Sequence, residues 1–201
     1  MRADWYVFVG AGIFVGIYVY ACIVWCLVRY RRRAHSPQQF SGNTPLELLY
    51  VALPFVLVLG LFGVTFAIEL PVDRVAAHPQ NVVAVTAFRW SWRFGYPNGV
   101  TAAGTPDSPP TLYLPLGEST QIDLRSADVT HSFWVPAFLF KRDAIPGMTN
   151  AFDVTPTRTG RFPGRCAQFC GLEHATMTFV VAVVPRQAYD RFLASKGSAS
   201  P

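Results

Sequence analysis

Twelve consecutive residues, Cys166-Ala167-Gln168-Phe169-Cys170-Gly171-Leu172-Glu173-His174-Ala175-Thr176-Met177, carry two thiols, an imidazole and a thioether. A second imidazole, His131, lies 35 residues before Cys166. Soft thiolate and thioether donors combined with imidazole are the ligand types of copper held for electron transfer. The four-residue step from Cys166 to Cys170 lets one loop aim two thiolates at one point, and Gly171 permits the tight backbone path this needs. His131 must then arrive from a separate strand end. One thiolate would serve a mononuclear site. Two thiolates favour a pair of coppers, each sulfur bridging both, so that one electron is shared and each bond changes little on transfer. The same soft set also accommodates zinc, or iron with sulfide. Met177 argues for copper, because a thioether is a poor zinc ligand. A Cys166–Cys170 disulfide is a further alternative, but it leaves His174 and Met177 without a role.

The elements that must position these residues begin with a membrane anchor. The chain has 201 residues, 51% of them apolar, which exceeds an ordinary soluble domain and suits a modest domain plus membrane helices. Residues 5–28 form a run of 24 uncharged residues, and 48–68 a run of 21. Both are long enough for a hydrocarbon core of about 30 Å. Pro54 would kink the second span without forbidding it. Between them stand Arg29, Arg31, Arg32 and Arg33, close to His35. Such a cluster marks the cytoplasmic side, so both termini and residues 70–201 are expected on the outer face of a bacterial plasma membrane. Trp5, Tyr6, Tyr30 and Tyr50 lie near span ends, where amphipathic rings favour the headgroup layer. Gly10, Ala11, Gly12 and Gly16 give the first span a small-residue face suited to a neighbouring helix, which points to a larger membrane partner. Cys22 and Cys26 fall inside that span and read as small apolar residues. A cleavable signal is not expected, because the first apolar run is too long and lacks a basic leader.

Residues 70–201 hold 12 Lys+Arg against 9 Asp+Glu, a balance too mild to suggest nucleic acid. The region reads as short strands with Gly and Pro punctuation. Strands are expected over 82–88, 111–114, 120–124, 151–155, 158–164 and 177–184, with 133–140 an apolar stretch broken by Pro136. Thr120, Ile122 and Leu124 alternate with polar neighbours, the period of a half-buried strand. Residues 186–195 read as a terminal amphipathic helix, and 98–110 as an exposed loop. The expected architecture is a two-helix transmembrane hairpin (1–69) followed by an all-β Greek-key domain (70–201) of the sandwich or barrel type. No phosphate-binding glycine loop, Ser-His-Asp spacing or catalytic carboxylate pair stands out, and without a Cys-x-x-Cys-His motif no covalent haem is expected on this chain.

With these residues in place, the sequence resembles subunit II of the haem-copper cytochrome c oxidases over nearly its whole length. The pattern is Cys-x-Glu-x-Cys-x-x-x-His-x-x-Met, preceded by a segment like Asp-Val-x-His-Ser-Phe, matched here by Asp128, Val129, Thr130, His131, Ser132 and Phe133. The resemblance implies a cupredoxin-like domain holding the dinuclear copper centre called CuA. Cys166 and Cys170 would bridge the coppers, His131 and His174 would each bind one, Met177 would be a weak axial ligand, and residue 168 would offer its main-chain carbonyl. Trp90, in the aromatic run Phe88-Arg89-Trp90-Ser91-Trp92-Arg93-Phe94-Gly95-Tyr96, would receive electrons from the donor, while the other aromatics of the run serve packing as well as any other role. Asp128 is the best match among acidic docking residues, with Asp123 and Asp153 as further candidates. Glu47 would stand at the mouth of a proton channel that continues through subunit I. Asp143 matches the segment near an interfacial magnesium ion. Gln168 replaces the glutamate that helps hold that ion, so magnesium is expected to be bound weakly or not at all, because an amide oxygen carries only a partial charge.

The implied function is electron acceptance for a terminal oxidase, with cytochrome c or a haem c domain as donor. Haem in subunit I would receive the electrons, and oxygen would be reduced there to water with proton pumping. Subunit I, other oxidase subunits and membrane lipids are the implied partners. A quinol oxidase subunit would have lost the copper ligands. A nitrous oxide reductase would be larger and lack the hairpin. A copper assembly protein would have no need of Trp90 or Glu47.

Overall fold

The computed structural model describes residues 2–31, 41–72, 75–76 and 78–197. Of the basic cluster between the spans, Arg29 and Arg31 are described, whereas Arg32, Arg33 and His35 lie outside the described residues. Two units are distinguished, Met1–Pro71 and Val72–Pro201.

The first unit holds helix α1 (Arg2–Arg29) and helix α2 (Thr44–Val72). Each runs a little beyond the uncharged stretch read from sequence. Within them Trp5–Arg29 and Thr44–Leu70 are apolar and long enough to cross a bilayer, and their side chains are exposed rather than buried against protein. The start of α2 has a local cause. The Asn43 side chain accepts from the Leu46 N–H at 3.3 Å, and the Glu47 carboxylate reaches back to the Asn43 N–H at 3.2 Å. This reciprocal cap satisfies two donors that a helix start leaves open. Helix α2 continues through Pro54.

The second unit is built from two five-stranded sheets. The first contains β1 (Asn81–Phe88), β2 (Ser91–Gly95), β3 (Thr101–Ala103), β5 (Thr120–Ser126) and β8 (Asn150–Val154) in the order β3-β2-β1-β5-β8. The second contains β4 (Thr111–Pro115), β6 (His131–Val135), β7 (Phe140–Ala144), β9 (Gly160–Cys166) and β10 (Thr178–Val184) in the order β4-β10-β9-β6-β7. The pairs β1–β5 and β4–β10 are parallel, and the remaining pairs are antiparallel.

Period-two alternation places the core. Val83, Val85 and Ala87 of β1 and Thr120, Ile122 and Leu124 of β5 are buried, while their neighbours point outward or are half-buried. Phe179 stacks on Phe133 at 4.6 Å between ring centroids and meets Trp92 edge-on at 5.1 Å. Gly164 is required by this contact, because a Cβ there would lie 2.3 Å from the Phe179 ring. Helix α3 (Arg186–Gly197) closes the far end, with Tyr189 buried and Phe192 stacked on Tyr113 at 4.2 Å. The cupredoxin-like β domain behind two membrane-length helices is therefore the fold class read from sequence.

One local expectation differs from the structure, and the break expected at Pro136 gains its detail. Residues 98–110 are not wholly loop: Val100 is buried and Thr101–Ala103 adds an edge strand to β2. The composition hides this because a three-residue edge strand needs a partner, not a hydrophobic run. The stretch 133–140 is a strand corner. Pro136 opens a short 3-10 turn, Leu139 takes a left-handed φ of 54°, and the chain returns as β7.

Candidate metal centre

The second sheet brings the ligand residues together at one end. Strand β9 ends at Cys166, β6 begins at His131, and Phe133 stands opposite Cys166 across their antiparallel pairing. His131 shares its face with Phe133, two residues on, and so reaches the end of β9. The loop from Cys166 to Met177 joins β9 to β10, and its base is closed by the Cys166 N–H donating to the Met177 carbonyl at 2.9 Å. The Ala167 N–H donates to the Ser132 carbonyl at 3.0 Å and ties the loop to β6. His174 starts a 3-10 turn that returns the loop to Met177.

The sulfur atoms of Cys166 and Cys170 lie 3.8 Å apart, and both cysteines are free. That excludes the disulfide, whose sulfurs would sit near 2.05 Å. The His131 Nδ1 is 3.8 Å from Cys166 Sγ, and the His174 Nδ1 is 3.5 Å from Cys170 Sγ. Met177 Sδ lies 3.7 Å from Cys170 Sγ, and the Gln168 carbonyl oxygen 3.2 Å from Cys166 Sγ. Cys166, Cys170, His131 and Met177 are buried, and His174 is half-buried. His131, Cys166 and Cys170 form a buried cluster able to ligate a metal, their donor atoms all within 4.8 Å of one another. A separation of 3.8 Å leaves room for an ion at an ordinary metal–thiolate length of about 2.3 Å from both sulfurs. The donor set thus fits a soft metal.

Three contacts around the cluster were not legible in sequence. First, Asp128 Oδ1 sits 2.8 Å from His131 Nε2, leaving Nδ1 to face the sulfurs. A carboxylate on the far nitrogen fixes the ring's tautomer and direction, as outer partners of metal-bound histidines do. The spacing Asp-x-x-His was the one available signal. Second, Arg89 clasps the same carboxylate through its main-chain N–H at 2.8 Å and its Nε at 3.3 Å. Third, the Trp90 Nε1–H donates to the Cys170 carbonyl at 3.2 Å, which lays the indole on the ligand loop. Trp90 is half-buried, while Trp92, Phe94 and Tyr96 are buried core.

The electrostatics follow from this crowding. Burial disfavours the Asp128 charge, but hydrogen bonds from His131 and from the Arg89 and Val129 N–H groups win and hold the carboxyl at about 2. Burial likewise opposes protonation of His131, and its bonds to Cys166 and Asp128 outweigh it, raising the imidazole. The two thiols separate. Burial raises both, yet hydrogen bonding to His131 lowers Cys166, and the thiolate formed there repels a second charge and pushes Cys170 up. A metal entering this pair must displace the Cys170 proton, so metal affinity will rise with pH through the neutral range.

The remaining sequence candidates are dispersed. Asp143 is exposed on β7, opposite Ser132, and the Gln168 side chain is exposed. Asp123 accepts from the Gln121 side chain at 2.7 Å, and Asp153 accepts from the Ala76 N–H at 2.6 Å. Glu47 caps α2.

Two apolar membrane-length helices and a cupredoxin-like domain bearing a buried His/Cys/Cys cluster define a membrane-anchored metal-binding protein. A family model described as cytochrome c oxidase subunit II, periplasmic domain, matches residues 107–184. A probable cytochrome c oxidase subunit 2 from Streptomyces avermitilis is 35% identical over 91% of this chain and 70% of its own length. Its counterpart from Nocardia farcinica is 31% identical over 96% of this chain and 70% of its own length. The crystal structure of the periplasmic domain of subunit II of the Bradyrhizobium japonicum cytochrome oxidase superposes with a TM-score of 0.56 at 27% identity, covering 62% of this chain and 98% of that one. The chain belongs to the cytochrome c oxidase subunit II family, and it is a subunit of that membrane enzyme with its β domain on the periplasmic side.

Proposed function

We propose that this chain accepts electrons from cytochrome c at a dinuclear copper centre of the CuA type and passes them to haem in subunit I, where oxygen is reduced to water with proton pumping. The observation that carries the reading is the pair of sulfurs 3.8 Å apart with a histidine Nδ1 beside each. Cys166, Cys170, His131 and His174 would hold the coppers through their sulfurs and imidazole nitrogens, with the Met177 thioether and the Gln168 carbonyl as weaker donors. When bound, the copper pair supplies a one-electron couple shared over both metals. The chain's own residues hold that geometry: Asp128 directs His131, the strand ends fix the cysteines, and the buried surroundings keep water from the sulfurs. Two coppers per chain with one unpaired electron shared equally, measured by metal analysis and electron paramagnetic resonance on the copper-loaded chain, are the expected result. One localised copper, or zinc in its place, would refute the reading.

Trp90 is the proposed receiving residue, because its N–H bonds the carbonyl of a bridging cysteine. Trp90→Phe removes that bond and part of the aromatic surface. Its expected effect is a slowing of copper reduction by about tenfold or more in rapid-mixing experiments, with the copper spectrum unchanged. Equal rates would return Trp90 to packing. Asp128, with both oxygens occupied, serves donor docking only through the groups it holds in place. Glu47 keeps its proposed place at a proton-channel mouth in addition to its cap. Gln168 and Asp143 are proposed as a weak magnesium position. Gln168→Glu should raise the affinity of the complex for manganese, read by its paramagnetic signal, because it restores a charged oxygen.

A further inference from the structure

Arg89 and Trp90 form the whole turn between β1 and β2, and the two residues reach the ligand set from different sides. Trp90 is seated on the ligand loop, where a Cβ on Gly171 would lie 3.2 Å from its Nε1. Arg89 reaches His131 through Asp128. The carboxylate is divided between them. Its Oδ1 meets His131 Nε2 at 2.8 Å and accepts from the Val129 N–H at 2.6 Å. Its Oδ2 accepts from the Arg89 N–H at 2.8 Å and from the Arg89 Nε at 3.3 Å. The loop that carries Asp128 is itself held. The Ala127 N–H donates to the Ala87 carbonyl at 2.9 Å, the Asp128 N–H to the Ser126 hydroxyl at 3.2 Å, and that hydroxyl to the Val129 carbonyl. The His131 side chain is fully buried, that of Asp128 is 23% exposed and that of Arg89 50%. A charge at the surface is therefore tied, through one carboxylate, to a buried ligand nitrogen. Arg93, the next cation along the chain, points elsewhere and lies over the Phe88 ring at 5.5 Å.

A carboxylate on the far nitrogen of a metal-bound imidazole makes that ring a stronger donor. A stronger donor favours the more highly charged state of a metal and lowers its potential. A guanidinium on the same carboxylate draws electron density away from it and weakens the push. Its positive charge acts through space in the same sense, because it disfavours the added charge of the oxidised state. Both effects raise the potential. The main-chain N–H of residue 89 keeps its bond to Asp128 whatever the side chain, so the charge can be removed while three of the four donors stay in place.

We infer that Arg89 sets the reduction potential of the metal centre from outside the ligand set, by offsetting the Asp128 charge that stands behind His131. Arg89 is a positioning residue, acting on the metal through two others. The inference rests on the copper binding proposed above and adds a residue that governs how readily the centre takes an electron.

The test is potentiometric titration of the copper-loaded full chain, read by its visible absorption. Arg89→Met keeps an unbranched apolar stem and removes the charge. At a fixed applied potential its ratio of reduced to oxidised centre is expected to fall about threefold or more, a midpoint lower by about 28 mV. Arg89→Gln should fall likewise. Arg89→Lys keeps the charge and should show less than about half of that shift. Arg93→Met removes an equal charge that has no carboxylate beneath it, and should shift the midpoint by less than about a third as much. A role in stability alone would lower the melting temperature and leave the midpoint where it is. An unchanged midpoint in Arg89→Met or Arg89→Gln would overturn the inference. A fall in Arg89→Lys as large as in Arg89→Met would overturn it too, because geometry and not charge would then set the potential. An equal fall in Arg93→Met would assign the effect to the net charge of the domain, with the same consequence. Failure of the wild-type chain to hold copper would instead refute the copper-binding reading itself, a result separable from the others because it appears before any substitution is made.

Discussion

Replacing Cys166 or Cys170 with serine is expected to abolish the shared-electron copper signal and to leave less than about 1% of electron transfer. Both sulfurs lie within 3.8 Å of a histidine Nδ1 and of each other, so neither thiolate is a spare. A serine hydroxyl is hard and does not ionise in the neutral range, and it cannot bridge two soft ions. The fold is expected to survive. Cys166 is 4% exposed and ends a strand whose pairing is made by main-chain groups, and burying a hydroxyl there costs about 1–3 kcal/mol at most. Copper content and paramagnetic resonance read the site, and far-ultraviolet circular dichroism reads the fold. A fully shared two-copper signal in either variant would sink the ligand assignment.

The second large effect is expected from Asp128→Asn. The carboxylate accepts from four groups, and an amide can offer only one oxygen while turning an NH2 toward the others. His131 then loses the partner that directs its Nδ1, and copper affinity should fall by about 10–100-fold. The metal-free domain should also lose up to about 1 kcal/mol, because solvent at the partly exposed carboxyl screens much of what lowering it from 3.8 to about 2 would contribute. The sign follows from the direction of that shift. A lowered carboxyl contributes in full above its ordinary value of 3.8, and the contribution fades as pH falls toward about 2. His131, raised above 6.5, works in the opposite sense, contributing below that value and fading as pH rises through its folded value. Urea melts of the metal-free wild type should therefore weaken between about pH 4 and 2, and the variant should lose less stability than the wild type over that window, its other carboxylates still titrating there. Parallel curves would show that Asp128 carries no charge-dependent stability.

How much of this was legible beforehand differs by element. The donor run Cys166–Met177, the two apolar spans and the alternation of Thr120, Ile122 and Leu124 are properties of neighbouring residues. Helix and strand periods and ligand chemistry act over a few positions, so the sequence by itself determined them, and with them the soft donor set and the membrane anchor. The strand at Thr101–Ala103 has no signature of its own because it exists only through β2, and at the 133–140 corner Pro136 marks the break while the left-handed turn at Leu139 carries no compositional mark.

The contacts that complete the site span long stretches of chain. Asp128 meets Arg89 across 39 residues, Cys166 meets His131 across 35, and Trp90 meets the Cys170 carbonyl across 80. These pairings follow from the order of strands in two mixed sheets and from the register that sets Phe133 opposite Cys166. Strand order is chosen by which buried faces fit together over the whole core. The ligand types were therefore written in local sequence, whereas the direction of His131, the neutralisation of Asp128 and the seating of Trp90 against Gly171 were decided only when the β domain closed.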